Sequence, residues 1–382
     1  MKQLIKKLYQ FIFYKVLYNL FKLLPVNERR IIYISHYGNR FGCNPKSMYD
    51  HIKVHYPEYT NVIVLNKADV KNEHAGDKVV GYYSVSFLHE LATSKYWVVN
   101  TNLHPDLSPR KETVYLQTWH AAGAFKKFGL DLPESRGQEK ESWKRDTSHW
   151  TKLISSSESI VETYASACGI NQRKIYPIGL PRNDIFFKTN DIAKMKKDFY
   201  KDYNIPDDKK IILYAPTYRD TDNDNPINLD FSKLQKELGQ QYVFVLKLHP
   251  FLANYKFKAA TKEEEQFVLN LSSIDDIQDL LLIADVLITD YSSVIFDFAI
   301  TGRPMIFYSY DLGAYERGFD FDYRTKLPGP IVFNQEELEV ELKDYRKLSE
   351  TYHEAVLQFA KEYNAGFDGK STEKAVKLLL EQ

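Results

Sequence analysis

The chain has 382 residues, no formal net charge, 44% hydrophobic and 27% charged positions, which is long enough for two α/β domains and ordinary for a globular protein. Zero net charge excludes a nucleic-acid binder that works by bulk attraction. The two cysteines, Cys43 and Cys168, have no metal-ligand spacing; they exclude a disulfide framework and point to reduced thiols.

The N-terminal segment departs from this average. Residues 1–25 carry Lys2, Lys6, Lys7, Lys15 and Lys22, no acid, and aromatic or aliphatic side chains at most other positions. Lys15 and Lys22 interrupt the run of about 20 apolar residues that a membrane span needs, and a central lysine costs roughly 2.5–3.5 kcal/mol on insertion scales. No small-residue cleavage site follows, which argues against a signal peptide. Residues 1–27 therefore predict a basic amphipathic helix lying in the interface of an anionic membrane. The alternative is a helix packed on the protein's own body, because the lysines do not gather on one face.

From residue 30 onward, short apolar runs alternate with helical patterns. Residues 31–35, 62–66, 96–100, 114–119, 153–155 and 174–178 read as strands, with helices over 45–55, 85–93 and 156–169, the last ending at Gly169. The pattern restarts after a polar helical stretch over 191–204, with strands over 211–215, 242–248, 267–270, 286–289 and 305–308. The runs are apolar on both faces, as buried parallel strands are. Two such arrays predict an α/β protein of two Rossmann-like domains facing a cleft. The division predicted is an N-terminal helix at 1–27, a first domain at 28–190 and a second at 191–382, with the last helix crossing back to the first.

Ligands of open α/β sheets sit beyond the carboxyl ends of the strands, so the polar residues after each strand are the candidates. His120 follows a strand, beside Gly123, Lys126 and Lys127; it reads as a general base or as a structural histidine in a turn. Thr217 and Arg219 follow the next array's first strand, and Arg219 reads as a phosphate ligand or as the partner of Asp220. Lys247 and His249 suit a diphosphate as charge clamp and proton donor. Asp290, Ser292 and Ser293 open a helix after a strand, a place where unpaired N–H groups favour an anion. Asp297 reads as a helix-surface or capping acid. Arg317 and Gly318 read as a pocket lining or an ordinary turn, and Arg182 as a phosphate contact or the ion-pair partner of Asp184. Nothing resembles a Walker A loop, a nucleophile elbow or a zinc site.

Taken together and in order, QTWHAAGAFKKFG at 117–129, YAPTYRD at 214–220, KLHP at 247–250, ITDYSS at 288–293, RPMIFYSY at 303–310 and the Arg317-Gly318-Phe319 run resemble the CDP-glycerol glycerophosphotransferases of Gram-positive teichoic acid synthesis. The resemblance covers about residues 100 to 335. It implies a fold of the glycosyltransferase B type, CDP-glycerol as donor and transfer of glycerol phosphate to a lipid-linked disaccharide at the cytoplasmic membrane face. It further implies His120 and His249 as catalytic residues. Thr217, Arg219, Lys247, Asp290, Ser292, Ser293, Arg317 and Gly318 would bind the donor; Gly123, Lys126, Lys127 and Arg182 would bind the acceptor. Where many of the polymerases carry a WHGTPLK-like run, this chain has WHAAGAFKK, which looks more like the primases. Glycerol- or ribitol-phosphate polymerases, capsule polyol-phosphate transferases and a nucleotide-sugar glycosyltransferase are the alternatives. No cofactor is firmly implied, and metal dependence stays open; the partners implied are the donor, the lipid-linked acceptor, an anionic membrane surface and other teichoic acid enzymes.

Overall fold

The computed structural model describes residues 8–66, 76–133, 137–219, 227–274, 276–314, 319 and 322–381. Arg317 and Gly318 lie outside the described residues, as do Asp220 and residues 1–7. The chain divides into two compact units. Unit 1 comprises Met1–Ala121, Lys127–Asp184 and Gly366–Gln382, and unit 2 comprises Ala122–Lys126 and Ile185–Ala365.

Among the described residues, unit 1 holds β1 (Asn27–Ile34), β2 (Thr60–Val64), β3 (Lys78–Val80), β4 (Ser94–Val99), β5 (Val114–Gln117), β6 (Lys152–Ile154) and β7 (Ile175–Tyr176). They form one parallel sheet in the order β3-β2-β1-β4-β5-β6-β7. The central β4 is buried at every position, which a strand covered on both faces requires. The order reverses between β1 and β4, where Ile34 lies opposite Val99. The chain therefore leaves these two neighbouring strands in opposite lateral directions, opening a crevice beyond their carboxyl ends.

Unit 2 repeats the plan with β8 (Lys210–Tyr214), β9 (Tyr242–Leu246), β10 (Val268–Asn270), β11 (Val286–Thr289), β12 (Met305–Tyr308) and β13 (Ile331–Val332). Their order is β10-β9-β8-β11-β12-β13, all parallel, with the reversal between β8 and β11. The core on one face gathers Tyr214, Phe231, Leu234, Phe244, Phe267 and Leu338, all buried. Two edge strands, β3 of three residues and β13 of two, are absent from the sequence reading.

Helix ends follow local chemistry. The helix Val161–Cys168 stops at Gly169, whose φ of 62° and ψ of 34° place it in the left-handed region that glycine enters without strain. The last helix, Ser371–Leu380, belongs to unit 1. Asp184 caps it by accepting hydrogen bonds from the Ser371 and Thr372 amides at 2.9 and 2.7 Å. Asp184 is thus a helix cap, which corrects the reading of it as the ion-pair partner of Arg182.

The N-terminal helical segment, Phe11–Leu17 continued by Tyr18–Phe21, has two unlike faces. Phe13, Tyr14 and Tyr18 are buried. Tyr14 stacks on His104 with ring centres 3.9 Å apart, and Tyr18 donates its hydroxyl to the Ser108 carbonyl at 2.8 Å. On the other side Leu8, Ile12, Val16, Leu20 and Leu23 are exposed by 58, 49, 43, 55 and 81%. Among the described residues no helix is long and apolar enough to cross a membrane.

Candidate active site

In unit 1 the polar groups follow β1, β4 and β5. Trp119 adopts a φ of 49°, which turns the chain sharply after β5 and leaves His120 exposed. His120 Nδ1 lies 2.9 Å from the Asn100 carbonyl oxygen. A carbonyl only accepts, so Nδ1 carries the proton and the neutral ring presents an unprotonated Nε2. Desolvation holds the imidazole below its usual pKa, and the Arg182 and Arg40 charges push the same way, against the Asn100 bond. Solvent reaches the ring, so the desolvation is partial; the sign stands because both guanidiniums act with it. The result is an imidazole that stays neutral near pH 7 with its distal nitrogen ready to take a proton.

Arg182 secures this turn. Its Nη1 donates to the His120 carbonyl at 2.9 Å and approaches Cys43 Sγ at 3.4 Å. Its amide donates to Asn44 Oδ1 at 3.1 Å, while Asn44 Nδ2 donates to the Thr118 and Trp119 carbonyls, both at 3.1 Å. Asn44 is wholly buried, so one side chain ties the ends of three segments. Lys127 is exposed in the same unit.

In unit 2 the centre is Asp290, buried at the end of β11. Its Oδ1 accepts from the Thr217 and Tyr291 amides at 2.8 and 2.6 Å, and its Oδ2 lies 2.7 Å from Arg219 Nη1. Arg219 also grips Asp311 with two parallel bonds, Nε to Oδ2 at 2.6 Å and Nη2 to Oδ1 at 2.9 Å. Tyr291 donates its hydroxyl to the same carboxylate at 2.9 Å. Arg219 is therefore held between two carboxylates, and its partners are Asp290 and Asp311. Desolvation opposes Asp311's ionisation, but Arg219 and Tyr291 outweigh it and hold the carboxyl below the usual range.

His249 lines a small pocket with Thr217, Tyr218, Arg219, Leu248 and Leu252. The Phe251 amide donates to His249 Nδ1 at 3.3 Å, so in the neutral ring the proton sits on Nε2, the reverse of His120. Desolvation, then Lys126 and Lys247, lower its pKa; it is a neutral hydrogen-bond donor. Lys247 is buried and donates to the Ser272 carbonyl at 3.1 Å. Ser292 and Ser293 are partly exposed. The helix they precede, Val294–Ala299, has only six residues, so donor groups rather than a long-helix dipole characterise this edge. Asp297 is buried within that helix, which corrects its reading as a surface acid.

Gly123 and Lys126, read from the sequence on the acceptor side, stand in unit 2. A Cβ on Gly123 would lie 2.5 Å from Phe296 Cζ, so the close approach of that ring requires glycine. Lys126 Nζ donates to Thr217 Oγ1 at 3.4 Å, and its backbone pairs with Phe319. Among the described residues no group of three His, Cys, Asp or Glu side chains is arranged to hold a metal.

Sequence reading missed Asn100, Asp311, His36 and Arg40. Each follows β4, β12 or β1, and the rule that found His120 and Asp290 reaches them when applied to those strands too.

Known proteins resemble this chain in sequence and in fold. The family model for CDP-glycerol:poly(glycerophosphate) glycerophosphotransferase matches residues 16–381. The chain is 33% identical to a teichoic acid glycerol-phosphate transferase of Staphylococcus aureus, over 98% of each chain. It is also 33% identical to a teichoic acid poly(glycerol phosphate) polymerase of Bacillus subtilis over 95% of this chain, and it spans 50% of that polymerase's length. A solved structure of the wall teichoic acid polymerase TagF, a variant soaked with CDPG, superposes with a TM-score of 0.88 at 28% identity, covering 99% of this chain and 96% of that one.

Proposed function

The chain belongs to the CDP-glycerol:poly(glycerophosphate) glycerophosphotransferase family, and we propose that it transfers glycerol phosphate from CDP-glycerol to a lipid-linked disaccharide, releasing CMP. Two parallel sheets with the same strand reversal support a glycosyltransferase B-type architecture. An acceptor hydroxyl attacks the β-phosphorus in line; the new O–P bond forms as the bond to CMP breaks. The hydroxyl proton passes to His120 Nε2. His249 Nε2–H, backed by the Lys247 charge, donates to the oxygen of the departing CMP. The serine hydroxyls of Ser292 and Ser293 contact the diphosphate. Arg219 acts by fixing Asp290 and the Thr217 loop between two carboxylates. Such a reaction rests on positioning and charge stabilisation.

The observation that carries this chemistry is the bond from His120 Nδ1 to the Asn100 carbonyl, which leaves Nε2 as a base. Identity to the S. aureus glycerol-phosphate transferase, whose length the chain matches, supports glycerol-phosphate transfer, which we read as addition of one unit, as by a primase. Identity to the polymerases is equal and supports chain extension as well. The exposed apolar stripe of the N-terminal helix, with its lysines, supports docking on the cytoplasmic face of an anionic membrane. The test is mass spectrometry of the product made from CDP-glycerol and a lipid-linked disaccharide, with and without a chelator. One added unit is expected; a ladder replaces the primase reading with polymerase. Incorporation from a UDP-sugar and none from CDP-glycerol would overturn the assignment in favour of a glycosyltransferase.

A further inference from the structure

The two sheets use one device at their reversal points. In unit 2 the Thr217 amide, after β8, donates to Asp290 Oδ1, after β11, at 2.8 Å. In unit 1 the His36 amide, after β1, donates to Asn100 Oδ1, after β4, at 3.0 Å. The equivalent crevice of unit 1 is therefore built as carefully as that of unit 2, but the chemistry around it differs. Unit 2 places two carboxylates about an arginine. Unit 1 gathers His36, Arg40, His120 and Arg182.

The backbone there is held in an uncommon form. Among the described residues five non-glycine residues have positive φ, and four of them are His36 at 46°, Tyr37 at 55°, Cys43 at 59° and Trp119 at 49°. Such conformations persist where the surroundings over-determine them, and they cluster at ligand sites. Ser35, wholly buried, closes the loop: its hydroxyl donates to the Arg40 carbonyl at 2.7 Å and accepts from the Gly42 amide at 3.1 Å. Asn100 ties both histidines at once: its side chain accepts from the His36 backbone amide, and its carbonyl accepts from the His120 ring. His36 Nε2 is buried with no hydrogen-bond partner. Burial, then Arg40, His120 and Arg182, push the His36 pKa down to about 3. The charges acting on both rings are cationic, and a cluster of that kind favours an anion.

We propose that the β1/β4 crevice of unit 1 is a phosphate-binding site for the acceptor, with Arg40 and Arg182 as its charged ligands and His36 and Asn100 shaping it. The proposal rests on the transferase reading only for the acceptor's identity. It gives the enzyme a means of selecting acceptors that already carry a phosphate ester, next to the base that activates their hydroxyl.

The test is calorimetric binding without turnover, which separates it from the assignment of activity. Three acceptors are compared: a neutral alkyl disaccharide, the same disaccharide on a lipid diphosphate, and the alkyl disaccharide bearing one glycerol phosphate. Wild-type protein is expected to bind one phosphorylated acceptor at least about tenfold more tightly than the neutral one, as charge-assisted hydrogen bonds provide. Preference for the diphosphate locates the lipid end in the crevice; preference for the glycerol phosphate locates the growing end. Arg40→Gln is expected to abolish the preference, Arg40→Lys to keep most of it, and CDP-glycerol to bind both variants as it binds wild type. Equal binding of all three acceptors by wild type overturns the proposal. So does an Arg40→Gln variant that keeps the preference or loses CDP-glycerol affinity instead.

Discussion

His120 and His249 carry the same side chain with opposite proton arrangements, and the partner of Nδ1 decides which. A carbonyl at 2.9 Å makes His120 an acceptor through Nε2, whereas an amide at 3.3 Å makes His249 a donor through Nε2. The sequence displayed both histidines after strands but not these partners, since Asn100 is 20 residues from His120. Removing the base is expected to lower kcat by about 10²–10⁴ in His120→Ala, measured with CDP-glycerol and a lipid-linked acceptor. Turnover near wild type would remove the base assignment. The pH profile follows from the direction of the shift. A base works unprotonated, and the His120 pKa lies below its ordinary 6.5, so the acid limb of kcat/KM is expected to be centred below pH 6.5. An acid limb centred above 6.5 would contradict the environment described for this ring.

At the scale of elements, the strands and their carboxyl ends were legible because buried parallel strands read as continuous apolar runs. β11 and β12 have the bounds read from the sequence, Val286–Thr289 and Met305–Tyr308. The strand predicted over 114–119 is shorter, Val114–Gln117, because the left-handed Trp119 ends the extended path. What surrounds a strand end was less legible. The family resemblance implies Gly123 as an acceptor contact; in the fold it admits the Phe296 ring. Gly123→Ala is expected to destabilise the protein by about 1–3 kcal/mol, as overpacking does, measured as a lower midpoint in urea. An unchanged midpoint would mean that Phe296 moves aside at no cost.

At the scale of the molecule, each unit carries its own parallel sheet, and two short segments depart from the order of the chain. Ala122–Lys126 belongs to unit 2 and Gly366–Gln382 to unit 1, so neither unit is a continuous stretch of sequence. The N-terminal helix settles on unit 1 through Phe13, Tyr14 and Tyr18 while leaving an apolar stripe outside. If that stripe enters a membrane interface, burying each leucine or isoleucine contributes about 1.5–3 kcal/mol. Ile12→Asp and Leu20→Asp are each expected to weaken co-sedimentation with anionic vesicles by roughly tenfold or more, with no fall in Tm because both side chains are exposed. Variants that sediment like wild type would argue against docking through this face. The sequence by itself determined the α/β class, most strands, the order of the motifs and the family they resemble, because each of these is written in local periodicity and in short runs of residues. Only the tertiary structure decided which side of Arg219 is satisfied by Asp311, 92 positions away, which residues share the reversal point of each sheet, and where each imidazole holds its proton. Those depend on contacts between strand ends that are adjacent in the sheet and distant in the chain, and no local pattern records them.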